Sequence, residues 1–198
     1  MTEIATPHGP ARAHLHPAAE PRGALVLGHG AGGGVSARDL VKATEAALAA
    51  GWSVALVEQS YRVAGRRSPS PAHQLDTAWT AVVEHLRSTE LRDLALVTGG
   101  RSAGVRVACR TAAQTGATGV LCLAFPLHPP GRPEKTRLAE LDAVEVPVLV
   151  VQGESDPFGM PPAGPSRTVV TQPGTHALTG DLEGLAAAVH DWLTGLPA

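Results

Sequence analysis

Short apolar runs alternate with longer amphipathic segments along most of this chain. The runs are rich in Val, Leu and Ala and predict six strands, at about 24–28, 53–58, 93–98, 118–124, 146–152 and 167–171. The spacing of apolar positions predicts four helices, at about 37–50, 71–88, 103–114 and 180–194. Strands that are apolar at nearly every position are typical of a parallel sheet covered on both faces. The pattern therefore predicts a doubly wound, mostly parallel α/β fold.

Residues at the expected helix ends agree with this assignment. Ser36, with Asp39 three positions later, is typical of a capping box at the start of the first helix. Ser70 before Pro71 is typical of an N-cap followed by a proline in the first turn. Glycines at 51 and 116 follow helical segments, where a glycine readily ends a helix.

The length and composition predict one domain with a substantial core. Of the 198 residues, 43% are hydrophobic and 17% are charged, which is typical of a globular protein. We expect a single domain over 1–198, in which turn signals at the start of the chain predict an edge hairpin within 1–22. The connections at 65–71, 126–133 and 159–167 are short, so we expect no inserted lid domain.

Charge and composition argue against several kinds of partner. The net charge of -2 and an aromatic content of 3% favour neither electrostatic nor stacking contacts with nucleic acid. No apolar run approaches the roughly 18 residues of a membrane span, and the N-terminus is not typical of a signal peptide. We therefore expect a soluble, cytoplasmic protein. Cys109 and Cys122 are too few for a disulfide framework or a zinc site, and His14 with His16 lacks a third ligand, so we expect neither metal nor cofactor.

The motif with the clearest chemistry is GRSAG at 100–104, a G-x-S-x-G between a predicted strand and a predicted helix. In α/β-hydrolases this spacing forms a tight strand-to-helix turn that exposes a nucleophilic serine above the sheet edge. Gly100 and Gly104 relieve the crowding on each side of that turn. The motif predicts a serine nucleophile at Ser102.

A serine hydroxyl needs a base and a group that orients the base. Asp156 follows the predicted strand at 146–152, and His176 follows the one at 167–171. Because the carboxyl ends of parallel strands share one sheet edge, we expect these side chains to meet Ser102. The order serine, aspartate, histidine is that of α/β-hydrolases. Glu154 is a competing acid two residues before Asp156.

The glycine-rich segment GHGAGGG at 28–34 fits two different motifs. Taken literally, Gly28, Gly30 and Gly33 form the G-x-G-x-x-G of a dinucleotide site. Glu58 then stands at the end of the next strand, where a ribose-binding acid would lie. Against this interpretation, His29 places a bulky ring in the turn, and the serine, aspartate and histidine are left unexplained.

The same segment also fits an oxyanion loop. In α/β-hydrolases one backbone N–H comes from the residue after the nucleophile and another from the loop after the third strand. Here those donors are Ala103 and Ala31, with Gly30 and Gly32 allowing close approach to a substrate carbonyl and His29 bracing the loop.

The chain resembles small α/β-hydrolases of the dienelactone-hydrolase-like kind over nearly its whole length. More narrowly, HGAGG, GGRSAG, PLHPPG and GESDPFG resemble a family of compact hydrolase-like proteins, one branch of which is a subunit of the nonspecific-lethal chromatin complex. The resemblance implies a hydrolase fold with the nucleophile at Ser102. Dienelactone hydrolases proper carry cysteine at that position, so their substrate is not carried over.

Other polar residues are candidate substrate contacts. Arg101 lies inside the serine motif, and His128 follows a predicted strand. A group formed by Arg101 with Arg62, Arg66 and Arg67 near the strand ends would favour an acidic substrate group. The alternative is that these arginines are solvated loop residues.

The motifs together predict a serine hydrolase that cleaves a small ester-like or related acyl bond through an acyl-enzyme. Without a lid, we expect an open site that takes a small-molecule acyl substrate rather than a long lipid chain. The alternative from another class is a non-catalytic interaction module that keeps the hydrolase fold. Substrate identity, transfer as opposed to hydrolysis, and oligomeric state stay open at this point.

Overall fold

An eight-stranded sheet runs through the centre of the molecule. The computed structural model describes residues 1–197, so the last residue of the predicted domain lies outside the described part. The strands are β1 (Thr2–Ile4), β2 (Ala11–His16), β3 (Gly23–Gly28), β4 (Trp52–Glu58), β5 (Leu96–Arg101), β6 (Gly119–Leu123), β7 (Val148–Gly153) and β8 (Arg167–Gln172). The helices are α1 (Arg38–Ala49), α2 (Ser60–Val63), α3 (Ala72–Ser88), α4 (Ala103–Thr115), α5 (Leu138–Asp142) and α6 (Leu182–Gly195).

The strands lie in the order β1-β2-β4-β3-β5-β6-β7-β8. From β4 to β8 the neighbours are parallel, whereas β1 pairs with β2, and β2 with β4, in antiparallel fashion. After β3 the chain adds β4 on one side and later β5 on the other, so the order reverses at β3. In open α/β sheets ligands bind beside the carboxyl ends of the strands at such a reversal.

Helices cover both faces of the sheet, which explains why its central strands are apolar throughout. All six residues of β3 are buried. Its alternate side chains enter different cores, with Leu25 and Leu27 facing the layer of α1 and α6, and Ala24 and Val26 facing the layer of α3 and α4. Each core also contains a tryptophan: Trp52 packs in the core on the side of α1 and α6, and Trp79 in the core on the side of α3 and α4.

The predicted α/β class with one mostly parallel sheet is confirmed, and the structure corrects its details. The strand predicted at 93–98 lies at Leu96–Arg101, three residues later. Gly99 and Gly100 belong to this strand, and a Cβ at either position would overlap a backbone oxygen of a neighbouring strand, so the close pairing there requires glycine. The short helices α2 and α5 were not predicted, since four or five residues carry too little periodicity.

The predicted capping box at the start of α1 is wrong. The N-cap of α1 is Ala37, which makes no side-chain cap, and Asp39 accepts hydrogen bonds from Arg101 and from the N–H of Leu40 instead. The start of α3 is shifted by one residue, with Pro71 itself at the N-cap. Gly116 ends α4 in the left-handed conformation, as expected of a C-terminal glycine.

At the start of the chain β1 and β2 form an antiparallel pair at the edge of the sheet. Within residues 1–197, each helix is too short or too polar to cross a membrane. The cytoplasmic location stays a prediction.

The first turn of α4 packs directly on the backbone of β3. A Cβ at Gly104 would lie 2.5 Å from the carbonyl oxygen of Gly28 and 2.7 Å from that of His29. Real Cβ atoms do not approach backbone oxygens so closely, so only glycine allows this contact.

We expect Gly104→Ala to lower the free energy of unfolding by about 2 kcal/mol, because the new methyl group forces helix and strand apart. Gly195→Ala is the matched control: it is also a helix glycine, and a Cβ there meets nothing within 4 Å. That variant should be neutral or stabilise the protein by up to about 1 kcal/mol. Urea denaturation measures both changes, and equal effects would contradict the packing argument.

Candidate active site

The reversal of strand order brings two loops of the chain together. In the parallel pairing of β3 with β5, Gly28 lies opposite Gly100, so the residues that follow each strand are neighbours. A Cβ added to Gly30 would lie 2.9 Å from Arg101 Nη1 and 3.5 Å from the Cβ of Ser102. The glycine-rich loop therefore packs against the serine motif.

Ser102 stands at the sharp turn between β5 and α4. Its φ of 52° and ψ of -112° are a backbone conformation that L-residues rarely adopt. Neighbouring contacts stabilise this conformation, because the Ser102 N–H donates to the Leu123 carbonyl oxygen at 3.0 Å and Gly104 packs on β3. Strained backbone of this kind concentrates at functional sites, because it projects a side chain into a cleft.

Three side chains form a continuous line of hydrogen bonds. His176 Nε2 lies 2.8 Å from Ser102 Oγ, and His176 Nδ1 lies 2.8 Å from Asp156 Oδ2. A carboxylate only accepts, so Nδ1–H donates to Asp156 and Nε2 is left to accept the serine hydroxyl proton. This arrangement suits a base that removes a proton from a hydroxyl nucleophile.

Several hydrogen bonds fix the carboxylate of Asp156. Its Oδ1 accepts the Phe158 N–H at 2.8 Å, and its Oδ2 accepts Gln152 Nε2 at 2.8 Å. Its side chain is fully buried. Glu154, the competing acid, is exposed at the surface. The structure therefore brings Asp156 to His176 and leaves Glu154 in solvent.

A close approach of β7 to the histidine loop joins these two parts of the site. A Cβ at Gly153 would lie 2.5 Å from the carbonyl oxygen of Thr175, next to His176. The ring of Phe158 lies against the His176 imidazole, with 4.2 Å between ring centroids. Gln152, which reaches Asp156, and Phe158 were not singled out from the sequence, because nothing local to either residue indicates these contacts.

The loop around Ala31 is fixed by contacts that leave its N–H available. Tyr61 donates its hydroxyl proton to the Ala31 carbonyl oxygen at 3.3 Å, and the Gly33 N–H donates to the Gly30 carbonyl oxygen at 3.2 Å. The Ala31 N–H donates to no atom of residues 1–197. Ala103 is the first residue of α4, where N–H groups lack an intrahelical acceptor.

His29 connects this loop to the end of β4. Its Nδ1 lies 2.9 Å from the Gly30 carbonyl oxygen, and its Nε2 accepts the Gln59 N–H at 3.1 Å. These partners require a neutral ring with the proton on Nδ1. Burial lowers the pKa of His29 and favours the same neutral form. A Cβ on Gly32 would meet nothing within 4 Å, so close packing does not require that glycine.

A cleft of about 340 Å³ opens beside Ser102. Ala31, Ala103 and Phe158 line it together with the serine, and Leu75 contributes to its wall. Three arginines also reach the cleft, namely Arg106, Arg110 and Arg137. Two of them follow Ser102 at intervals of four residues on α4, a spacing that places side chains on one helix face and that was available in the sequence.

A family model described as an alpha/beta hydrolase domain matches residues 21–180 of the chain. The chain belongs to the alpha/beta hydrolase family.

Solved structures with the same fold include esterases and serine hydrolases. Est1E from Butyrivibrio proteoclasticus, with ferulic acid bound, is 18% identical, with 98% of each chain covered and a TM-score of 0.78. A serine hydrolase without a lid from Xanthomonas campestris is 20% identical, with 99% of this chain and 95% of that chain covered and a TM-score of 0.76. A dienelactone hydrolase from Anabaena variabilis is 17% identical, with 100% and 97% covered and a TM-score of 0.77. At these identities the likeness shows the fold of this hydrolase.

The alpha/beta hydrolase fold argues against the dinucleotide interpretation of the glycine-rich segment, whereas its role as an oxyanion loop stays a prediction. Glu58, the acid that a ribose would need, lies 3.0 Å from His14 Nε2 through one carboxylate oxygen. Among residues 1–197, no three His, Cys, Asp or Glu side chains gather as metal ligands would. The narrower resemblance to a chromatin-complex subunit stays a prediction.

Arg101 does not lie in the cleft, where a residue that contacts the substrate would be expected. Its Nε donates to Asp39 Oδ2 at 2.6 Å, and its Nη2 donates to the His176 carbonyl oxygen at 3.2 Å. Burial raises the pKa of Asp39, and the Arg101 charge opposes that shift. Arg101 therefore ties α1 to the histidine loop and does not line the cleft.

The other expected substrate contacts also lie elsewhere. His128 turns its Nδ1 to the Pro129 carbonyl oxygen, and its ring packs against Gly159. Arg66 and Arg67 are exposed loop residues, and Arg62 is half-buried outside the cleft. The cleft arginines come from α4 and from the start of α5 instead.

We expect Asp39→Ala to lower the free energy of unfolding by about 3 kcal/mol, because it leaves the largely buried Arg101 guanidinium without its carboxylate. Glu3→Ala is the control, since Glu3 pairs with Arg12 in an exposed ion pair that should contribute under about 1 kcal/mol. Chemical denaturation of both variants checks the difference. A loss as small as that of Glu3→Ala would show that the pair contributes little.

The buried His29 should make stability depend on pH. Its pKa in the folded protein lies below the ordinary histidine value of 6.5, so the unfolded chain binds the extra proton first as the pH falls. Stability from this group is complete above about pH 6.5 and is lost as the pH falls towards the lower, folded pKa.

We therefore expect the free energy of unfolding to decrease on acidification from about pH 7.5 to about pH 5, and to decrease less in His29→Gln. His73→Gln, which changes an exposed histidine, should retain the wild-type slope. Urea titrations across this range measure the slopes. Identical slopes in wild type and His29→Gln would show that His29 carries no such linkage.

Proposed function

We propose that this hydrolase cleaves a small ester-like or related acyl bond by nucleophilic catalysis at Ser102. The observation that carries the proposal is the line of hydrogen bonds from Ser102 through His176 to Asp156, with 2.8 Å at each step. The line opens into a cleft at the carboxyl ends of the strands, where substrates of open α/β sheets bind.

In the first half of the proposed reaction, Ser102 Oγ attacks the carbonyl carbon of the ester. His176 Nε2 accepts the hydroxyl proton, and Asp156 orients the imidazolium and stabilises its charge. The carbonyl oxygen becomes an oxyanion that the N–H groups of Ala31 and Ala103 stabilise by hydrogen bonds. When the carbon–oxygen bond to the alcohol breaks, the alcohol takes the proton from His176, which leaves an acyl group on Ser102.

In the second half, water attacks the acyl carbon. His176 accepts a proton from the water, and the same two N–H groups stabilise the second oxyanion. The bond from carbon to Ser102 Oγ then breaks, and His176 returns the proton to the serine oxygen. The products are one alcohol and one carboxylic acid, and the hydrolase returns to its starting state.

The size of the cleft supports a small substrate. Its volume of about 340 Å³ is near the lower end of the range for small-molecule sites. A long acyl chain would extend beyond it into solvent. A non-catalytic interaction module, the alternative from another class, has no use for a serine held in strained backbone within reach of a buried histidine–aspartate pair.

We expect a fluorophosphonate probe to label the wild-type hydrolase, because Ser102 Oγ would bond to phosphorus and displace fluoride. Ser102→Ala should abolish labelling, whereas Ser166→Ala, which changes an exposed serine, should label like wild type. Gel fluorescence or intact mass measures the adduct. Labelling that survives Ser102→Ala would mean that another residue is the nucleophile, and an unlabelled wild type would favour the interaction module.

Hydrolysis of 4-nitrophenyl acetate tests which carboxylate, that of Asp156 or that of Glu154, orients His176. We expect Asp156→Asn to lower kcat by about 10⁴-fold, because His176 loses the partner that sets its tautomer. Glu154→Gln is the matched control, since Glu154 is exposed two residues away. A larger loss of kcat in Glu154→Gln than in Asp156→Asn would mean that Glu154 is the acid that orients His176. Separately, faster hydrolysis of long-chain than of acetyl esters would contradict the proposal of a small substrate.

A further inference from the structure

Three arginines give the cleft beside Ser102 a charge that the reaction itself does not require. Arg106 and Arg110 lie one and two turns beyond Ser102 on α4, and Arg137 directly precedes α5. All three are partly buried. Guanidinium groups in a partly desolvated cleft interact with anions more strongly than solvated ones do, because screening by water is weaker there.

Two of the arginines are neutralised by carboxylates. Arg106 contacts Glu140 through Nε and Nη2, at 2.8 and 2.6 Å. Arg110 contacts Asp76 in the same two-pronged manner, at 2.8 and 2.6 Å, and also reaches Glu140 at 3.3 Å. These pairs use the planar fork of each guanidinium and offset its positive charge, so a further anion would gain little net attraction from Arg106 or Arg110.

Arg137 differs from the other two. Its Nη1 donates to the Pro126 carbonyl oxygen at 2.9 Å, and no carboxylate among residues 1–197 forms an ion pair with it. Burial, and next the nearby charge of Arg106, lower the pKa of Arg137 from its ordinary value. Three guanidiniums thus face two carboxylates, and the uncompensated positive charge belongs to Arg137.

Building on the function proposed above, we propose that Arg137 binds a carboxylate of the substrate, so that the preferred substrates are small esters carrying a carboxylate. One uncompensated charge matches a monoanion, and the planar guanidinium matches the two oxygens of a carboxylate. A phosphate monoester, with close to two negative charges at neutral pH, would leave about one charge unmatched.

The cleft can hold both ends of such a substrate. Ser102 and Arg137 line the same space of about 340 Å³, and Leu75, Pro126 and Phe158 line it as well. These apolar side chains supply contacts for a short carbon chain between the ester and the carboxylate. The proposal therefore concerns a short acid-bearing acyl chain and not a polymeric anion.

The test compares two esters of equal chain length in the same protein. Mono-4-nitrophenyl glutarate carries a terminal carboxylate, and 4-nitrophenyl pentanoate carries a methyl group in its place. We expect wild type to show the higher kcat/KM for the glutarate ester. Arg137→Gln should lower the ratio of the two kcat/KM values by about tenfold, as loss of one charged hydrogen bond predicts.

Arg132→Gln is the matched control, because Arg132 is an exposed arginine in the loop before α5. It should keep the wild-type ratio. If Arg137→Gln fails to fold, the wild-type ratio still tests the proposal, since added sodium chloride should lower a preference that rests on charge. A ratio of one in wild type, or a ratio that Arg137→Gln leaves unchanged, overturns the proposal.

The outcomes separate this proposal from the function on which it rests. Turnover of both esters without a preference for the glutarate overturns the role of Arg137 and leaves the serine hydrolase in place. No turnover of either ester, together with no fluorophosphonate labelling at Ser102, overturns both. Faster turnover of a matched ester with a terminal phosphonate than of the glutarate ester overturns the choice of carboxylate.

Discussion

The close backbone contact between β3 and the first turn of α4 determines how the serine turn and the glycine-rich loop of the candidate site lie against each other. Gly104 sits where a Cβ would be 2.5 Å from the Gly28 carbonyl oxygen, so α4 can begin directly after Ser102. This contact helps to hold Ser102 in its strained conformation at the start of α4, where the first N–H groups lack intrahelical acceptors. It also sets the loop after β3 beside the serine, because that loop leaves from the same point of β3. The contact between Gly104 and Gly28 thus brings the serine turn next to the glycine-rich loop.

The Arg101–Asp39 ion pair connects the serine turn to other segments of the candidate site. Arg101 is the variable residue between the glycine and the serine of the motif, so its backbone is fixed by the same turn. Its side chain reaches Asp39 on α1 and the carbonyl oxygen of His176, and it packs against Gly30. One guanidinium therefore connects the glycine-rich loop, the serine turn and the histidine loop. A shift of any of these segments would cost part of a largely buried ion pair.

Sequence reasoning found the class of fold and most strands because those depend on local patterns of apolar residues. It also placed Ser102, Asp156 and His176 at strand ends, which the topology of a parallel sheet brings together. It assigned Asp39 to a capping box wrongly, because the competing partner, Arg101, is 62 positions away and only the tertiary structure brings it near. The same holds for Arg137: its place in the cleft depends on how the segment before α5 packs over α4, which no local pattern encodes.

The three positive charges around the cleft are compensated unequally. Asp76 and Glu140 hold Arg110 and Arg106 in two-pronged pairs, which offsets most of the repulsion among three nearby cations. The same carboxylates keep these arginines from binding an anion at random, so the remaining positive charge is confined to Arg137. That charge lies in the cleft that Ser102 also lines, where the carboxylate of the proposed substrate would offset it. A cleft with three unpaired arginines would attract anions more strongly, but it would destabilise the fold and select among them less well.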